Sequence, residues 1–169
     1  MDIMISDNDL VDQLFAFQES LMFTHLLVPT DGSELSDKAV LRAVSFAKAG
    51  NARITFFFAR PNTAASLYGE TALLRSMNPS ELHKVVHQHA NEVLAKAESL
   101  AREAGVDCES LSAASNSEPY EGIIAAAADR GCDLILMASH GYRGVKALLI
   151  GSQTQKVLTH SKLPVLVYR

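Results

Sequence analysis

Cysteine is scarce: Cys108 and Cys132 are the whole complement, they stand far apart and they lack CxxC spacing, so neither a disulfide framework nor a thiolate metal site is expected. They read as reduced thiols of a cytoplasmic protein. Lys and Arg form no cluster, and 15 of them against 19 Asp and Glu give a formal net charge of -4 and a pI near 5.8, which argues against a grip on nucleic acid. No apolar run approaches the ~20 residues of a membrane span, and Asp2, Asp7 and Asp9 stand where a signal peptide would be positive. No membrane partner is expected. No glycine precedes a lysine, so GxxxxGK[ST] is missing, and no GxGxxG follows a strand, which disfavours a Walker-type motor and a typical dinucleotide dehydrogenase. Ser112, Ser115 and Ser117 lack the GxSxG setting of a hydrolase nucleophile.

The 169 residues, 48% hydrophobic and 20% charged, suit one domain with a full core. From Phe23 onward, strand and helix patterns alternate. Phe23 to Pro29 reads as a strand, and Glu34 to Ala49 as a helix with Ala39, Val40, Ala43, Val44 and Ala47 on one face, capped by Ser33 and closed by Gly50. Ala52 to Ala59 is a second strand whose unbroken apolar run predicts burial on both faces. Pro61 to Asn78 is irregular and expected beside a ligand. Pro79 to Ala104 keeps the helical period until Gly105, with Leu82, Val85, Val86, Val93, Leu94, Ala97, Leu100 and Ala101 as its apolar set. Cys108 to Ala114 is a third strand. Ser117-Glu118-Pro119 opens a helix running to Asp129 and closed by Gly131, Asp133 to Met137 is a fourth strand, Ser152 to His160 a fourth helix, and Pro164 to Tyr168 a fifth strand.

This βαβαβαβαβ alternation predicts an α/β fold: a doubly wound, five-stranded parallel sheet of order 3-2-1-4-5 with helices on both faces. In such a sheet a ligand binds outside the carboxyl ends of the strands where the order reverses, which sets Pro29-Thr30-Asp31 opposite the loop Ala138 to Gly144 across one crevice. Residues 1–21 fall outside the rhythm; Leu10, Val11, Leu14, Phe15 and Leu21 keep helical spacing and form an amphipathic extension ahead of a domain spanning 22–169. A translation start at Met22 would yield the domain without it.

The most informative segment joins the fourth strand to the fourth helix. A helix N-terminus leaves four N–H groups unpaired and carries about half a positive charge, so an anion at Ser152-Gln153-Thr154 gains hydrogen bonds and dipole attraction together. Gly151 keeps the approach open, while Gly141 and Gly144 supply amides on the facing loop. Capping alone would also explain Ser152. His140 suits a loop-positioning role better than proton transfer, since no acid partner is apparent.

Ala138, Ser139-His140, Gly141, the nine residues Tyr142 to Ile150, Gly151 and Ser152 resemble the Gly-x2-Gly-x9-Gly-[Ser/Thr] pattern of the universal stress protein family, ATP-binding members in particular. Leu26 to Ser33 and Lys156 to Val167 extend the resemblance over 22–169, and Ala138 departs from it where the family has glycine. The resemblance implies an adenine-nucleotide α-hydrolase-like fold and ATP as ligand, with Mg²⁺ as a candidate companion. Matched by position, Pro29, Thr30 and Asp31 would stand at the adenine or ribose side, Ala59 would line the base pocket, Met137 and Ala138 would flank the nucleotide, and Ser139, His140, Gly141, Gly144, Gly151, Ser152 and Gln153 would surround the phosphates. Arg60 is expected to be solvated rather than bound to phosphate.

His83 and His87 are one helical turn apart, but Lys84 follows His83 where HExxH has glutamate, so a solvated flank with His89 is preferred to a zinc site. Asp31 has the chemistry of a Mg²⁺ ligand or a base, and equally of a ribose acceptor or helix cap. The favoured reading is a cytoplasmic stress-response protein that binds ATP, hydrolyses it slowly at most, and dimerises through the apolar terminal strand with Val165 and Val167. The alternatives are an enzyme of the adenine-nucleotide α-hydrolase group and a nucleotide-free interaction module.

Overall fold

Strands that are apolar on both faces need helices over both, and the chain supplies them by alternation. The computed structural model describes residues 23–60, 78–114, 118–141 and 150–169. These hold β1 (His25–Pro29), α1 (Glu34–Gly50), β2 (Arg53–Arg60), α2 (Pro79–Glu103), β3 (Cys108–Ala114), α3 (Pro119–Asp129), β4 (Leu134–Ala138), α4 (Ser152–His160) and β5 (Val165–Tyr168). All four strand pairings are parallel and the order is β3-β2-β1-β4-β5, as the alternation predicts. The extension 1–21, most of the irregular stretch after Pro61, Ser117 and Gly144 lie outside the described residues.

Successive strand residues enter opposite core layers. Leu26, Val28, Ile54, Phe56, Phe58, Leu134 and Leu136 pack beneath α1 and α2, against Ala39, Val40, Ala43, Val44, Ala47, Ala90, Leu94, Ala97 and Ala101. Leu27, Phe57, Ile135 and Met137 pack beneath α3 and α4, against Ile123, Ala126, Ala127 and Val157. Small residues on the helices let their backbones lie close to the large side chains of the sheet. Among the described residues, no helix is long and apolar enough to cross a membrane.

One helix end differs from expectation. Gly50 is still helical, and Asn51, at φ 51°, closes α1 by donating its N–H to Ala47 O; asparagine tolerates the left-handed region that a C-terminal cap uses. Helix α2 starts at Pro79, as the sequence predicts, with Asn78 as its N-cap, whose side chain accepts from Glu81 N at 2.9 Å. Of the apolar set expected along α2, Leu94, Ala97 and Ala101 are buried, whereas Val85 is 42% exposed.

Candidate functional site

The exit of β1 is built from small polar groups. Thr30 N continues the sheet by donating to Phe57 O (2.9 Å), while Thr30 Oγ1 receives Ser36 Oγ (2.8 Å) and Gly32 N (3.3 Å). Asp31 Oδ1 accepts from Ser33 N (3.0 Å), and Asp31 N donates to Ser36 Oγ (3.3 Å). Gly32 sits at φ +80°, and a Cβ there would press on Val93 of α2, so the turn needs glycine for conformation and for space. Ser33 then caps α1 by accepting from Ser36 N (3.3 Å). These bonds hold the Asp31 carboxylate in place.

The exit of β4 lies opposite. Ser139 N donates to Tyr168 O of β5 (2.7 Å), Ser139 O accepts from Gly151 N (2.7 Å), and Thr154 Oγ1 donates to Ala138 O (3.0 Å). The last two bonds bring the start of α4 back onto the end of β4, closing the neck of the loop between them. Gly151 is the N-cap of α4 at φ -70°, ψ 155°, with no side-chain cap. Ser152 is therefore the first helical residue rather than the cap, and its side chain is exposed. Gly151 brings no side chain to cap the first amides of α4, which carry the anion-attracting end of the helix dipole.

The two exits meet at Asp31 and Gly141. A Cβ on Gly141 would collide with Asp31 Oδ2 and stand 3.0 Å from Asp31 Cγ, so the glycine provides room for the carboxylate. Ala138, where glycine would match the family pattern, belongs to β4, is 7% exposed and packs in the layer under α1 and α2. Asn51 alone among the described non-glycine residues has positive φ, so the Ala138 methyl carries no left-handed strain. β2 runs beyond Pro29, which pairs with Phe57; Ala59 is thereby carried past the end of β1 and packs, like Met137, in the layer under α3 and α4.

Of the expected site residues, Pro29, Thr30, Asp31, Ala59, Met137, Ala138, Ser139, His140, Gly141, Gly151 and Ser152 lie at the carboxyl ends of the strands or at the start of α4. His140 Nδ1 lies 3.1 Å from Ser139 Oγ, a bond within the loop. Gln153 turns its side chain elsewhere: Oε1 accepts from Tyr120 N (3.0 Å) and Nε2 donates to Glu118 Oε2 (3.3 Å). Glu118, the N-cap of α3, makes no capping bond of its own, and Gln153 supplies that acceptor from the neighbouring helix. Lys156 pairs with Glu118; the hydrogen bonds from Lys156 and then Gln153 hold the Glu118 carboxyl below its ordinary range.

Arg60 is not the solvated side chain expected. Its guanidinium engages His87 and donates from Nη2 to Ser112 O (3.4 Å). His83, His87 and His89 are all exposed on α2, as a solvated flank requires, and His89 meets Phe58 edge-on with ring centroids 5.8 Å apart. No group of three or more His, Cys, Asp or Glu converges as a metal site among the described residues. Sequence reasoning missed the side chains of Ser36 and Thr154, whose contacts order the two exits; the Thr154 bond spans sixteen residues and leaves no local spacing signal.

Comparison with known proteins gives this arrangement a lineage. Universal stress protein YxiE of Bacillus subtilis (strain 168) is 31% identical over 150 residues, 88% of this chain and 100% of that one. The solved structure of MJ0577, a universal stress protein of Methanocaldococcus jannaschii, superposes with a TM-score of 0.71 at 25% identity, covering 87% of this chain and 96% of the other. A universal stress protein solved in complex with cAMP shares the fold, with a TM-score of 0.65 at 24% identity over 88% of this chain and 98% of that one. The universal stress protein family model matches residues 22–169, and with the 3-2-1-4-5 sheet and the likeness to YxiE this establishes that the chain belongs to the universal stress protein family.

Proposed function

We propose that the chain binds ATP in the crevice between the β1 exit and the β4–α4 loop and acts as a nucleotide-dependent sensor or regulator in the cytoplasmic stress response. The observation that carries this reading is the approach of Asp31 to Gly141 beside the start of α4, whose N-cap is the side-chain-free Gly151. A carboxylate at one exit suits the ribose hydroxyls, and the first amides of a helix with its positive dipole end at the other suit the phosphates. The base would rest between Ala59 and Met137. The complex of cAMP with another protein of this fold supports an adenine nucleotide as the ligand class. With no metal cluster among the described residues, a Mg²⁺ ion would arrive held chiefly by the phosphates, with Asp31 the nearby carboxylate.

Strand β5 lies at the sheet edge and Leu166 is 38% exposed, so a second copy pairing along that edge is the proposed dimer.

Calorimetry with ATP on the wild type, Asp31→Ala and Ser152→Asp tests the site. An acidic residue in the first turn favours the helix but repels phosphate, so Ser152→Asp is expected to keep the fold and lose at least about tenfold in affinity. Unchanged affinity in that variant refutes the placement. Turnover above roughly one ATP per second would mark an enzyme instead.

A further inference from the structure

The acidic side chains are unevenly placed. Asp2, Asp7, Asp9, Asp12 and Glu19 fall within residues 1–22, which contain no Lys or Arg, so fourteen acidic residues face fifteen basic ones in the remainder of the chain. The outer face of α1 has the opposite character. Leu41 (49% exposed) and Phe46 (37% exposed) project there with Lys38, Arg42 and Lys48, against Glu34, which pairs with Lys38 at 2.6 Å. The other acid of α1's first turns, Asp37, is engaged by Lys96 of α2. The outer face of α1 is thus apolar and net positive.

The chain enters the described fold beside this face. Phe23 packs in the layer under α1 and α2, Thr24 O accepts from Arg53 N (3.0 Å), and Ala52 N donates to Ala47 O (2.9 Å). Those two bonds set the incoming strand next to the end of α1 that carries Phe46 and Lys48. A helix of thirteen residues would extend about 20 Å, well within the length of the 17-residue α1.

We propose that residues 9–21 dock on the outer face of α1 of the same molecule, with Leu10, Val11, Leu14 and Phe15 over Leu41 and Phe46 and with Asp9, Asp12 and Glu19 toward Arg42 and Lys48. Burial of the apolar residues supplies the attraction and the charges set the seat.

Disulfide trapping in the full-length chain tests this. Phe15→Cys combined with Phe46→Cys is expected to form an intramolecular disulfide under mild oxidation, in excess over Phe15→Cys combined with Gln155→Cys on exposed α4. Adding Arg42→Glu and Lys48→Glu should lower the yield by roughly three- to tenfold. Because Phe15 precedes the folded domain, Phe15→Ser provides a second check that spares the core: proteolysis before Phe23 should accelerate. Equal trapping on α1 and α4, or cross-links only between two molecules, overturns the proposal.

Discussion

The Asp31 carboxylate occupies the space that a side chain at Gly141 would need: a Cβ built there meets Oδ2 and stands 3.0 Å from Cγ. Gly141→Ala is therefore expected to displace Asp31 and destabilise the fold by about 1 kcal/mol, while Gly141→Ala in an Asp31→Ala background costs less. The coupling in a urea double-mutant cycle should be of order 0.5 kcal/mol or more. Additive changes would mean that the two residues do not share this space.

At Gly151 the obstacle is backbone. A Cβ there lies 3.2 Å from His140 Cα and from Ser139 O, and neither atom can turn aside as a carboxylate can. Gly151→Val is expected to cost about 1–3 kcal/mol in stability before any ligand is added, with a lower Tm as the readout. A wild-type Tm would remove the tight neck from the argument.

A buried histidine makes stability depend on pH. Thr55 Oγ1 donates its proton to Glu109 Oε1 (2.9 Å), so the 2.7 Å contact with His25 is a donation from His25 Nε2. Burial, and then the charge of Arg53, lower the His25 pKa below 6.5, while Glu109 and Asp133 act the other way. The folded state then binds fewer protons than the unfolded one. This stabilisation is complete above about 6.5 and is lost as pH falls toward the folded value, with a slope of at most roughly 1.4 kcal/mol per pH unit. Asp133 resists ionisation through burial, yet hydrogen bonds from Thr24 and His25 prevail and hold it below 3.8, so its loss comes only in stronger acid. Urea unfolding between about pH 7.5 and 5.5 should show the slope in the wild type and a flatter one in His25→Gln.

Gln153 joins the starts of two helices. Gln153→Ala removes the acceptor of Tyr120 N and is expected to cost about 1 kcal/mol, the usual effect of a lost cap. Gln153→Glu retains the acceptor and should recover most of the Tm. Failure of Gln153→Glu to recover it would assign the loss to packing instead.

Much of the fold was legible because its signals are local. Phe56-Phe57-Phe58 announces a strand buried on both faces, Asn78-Pro79 a helix start, and Gly141 with Gly151-Ser152 a strand-to-helix junction that keeps side chains away from an anion. The placement of the candidate site residues was legible for the same reason: they lie on three strand ends that a doubly wound order must bring to one edge. The engagement of Arg60 by His87 and of the Gln153 side chain by Tyr120 was not legible, because these partners are remote in sequence and leave no periodic trace.

The sequence by itself determined the element order, the parallel sheet and the family, because side-chain period, caps and glycine spacing act over a few residues and survive any change of surroundings. Only the tertiary structure decided that Gly141 makes room for Asp31, that Ala138 rests in the core without strain, and that Gln153 caps a neighbouring helix. Those are contacts between segments far apart in the chain, and their geometry exists only after the sheet has brought the strand ends together.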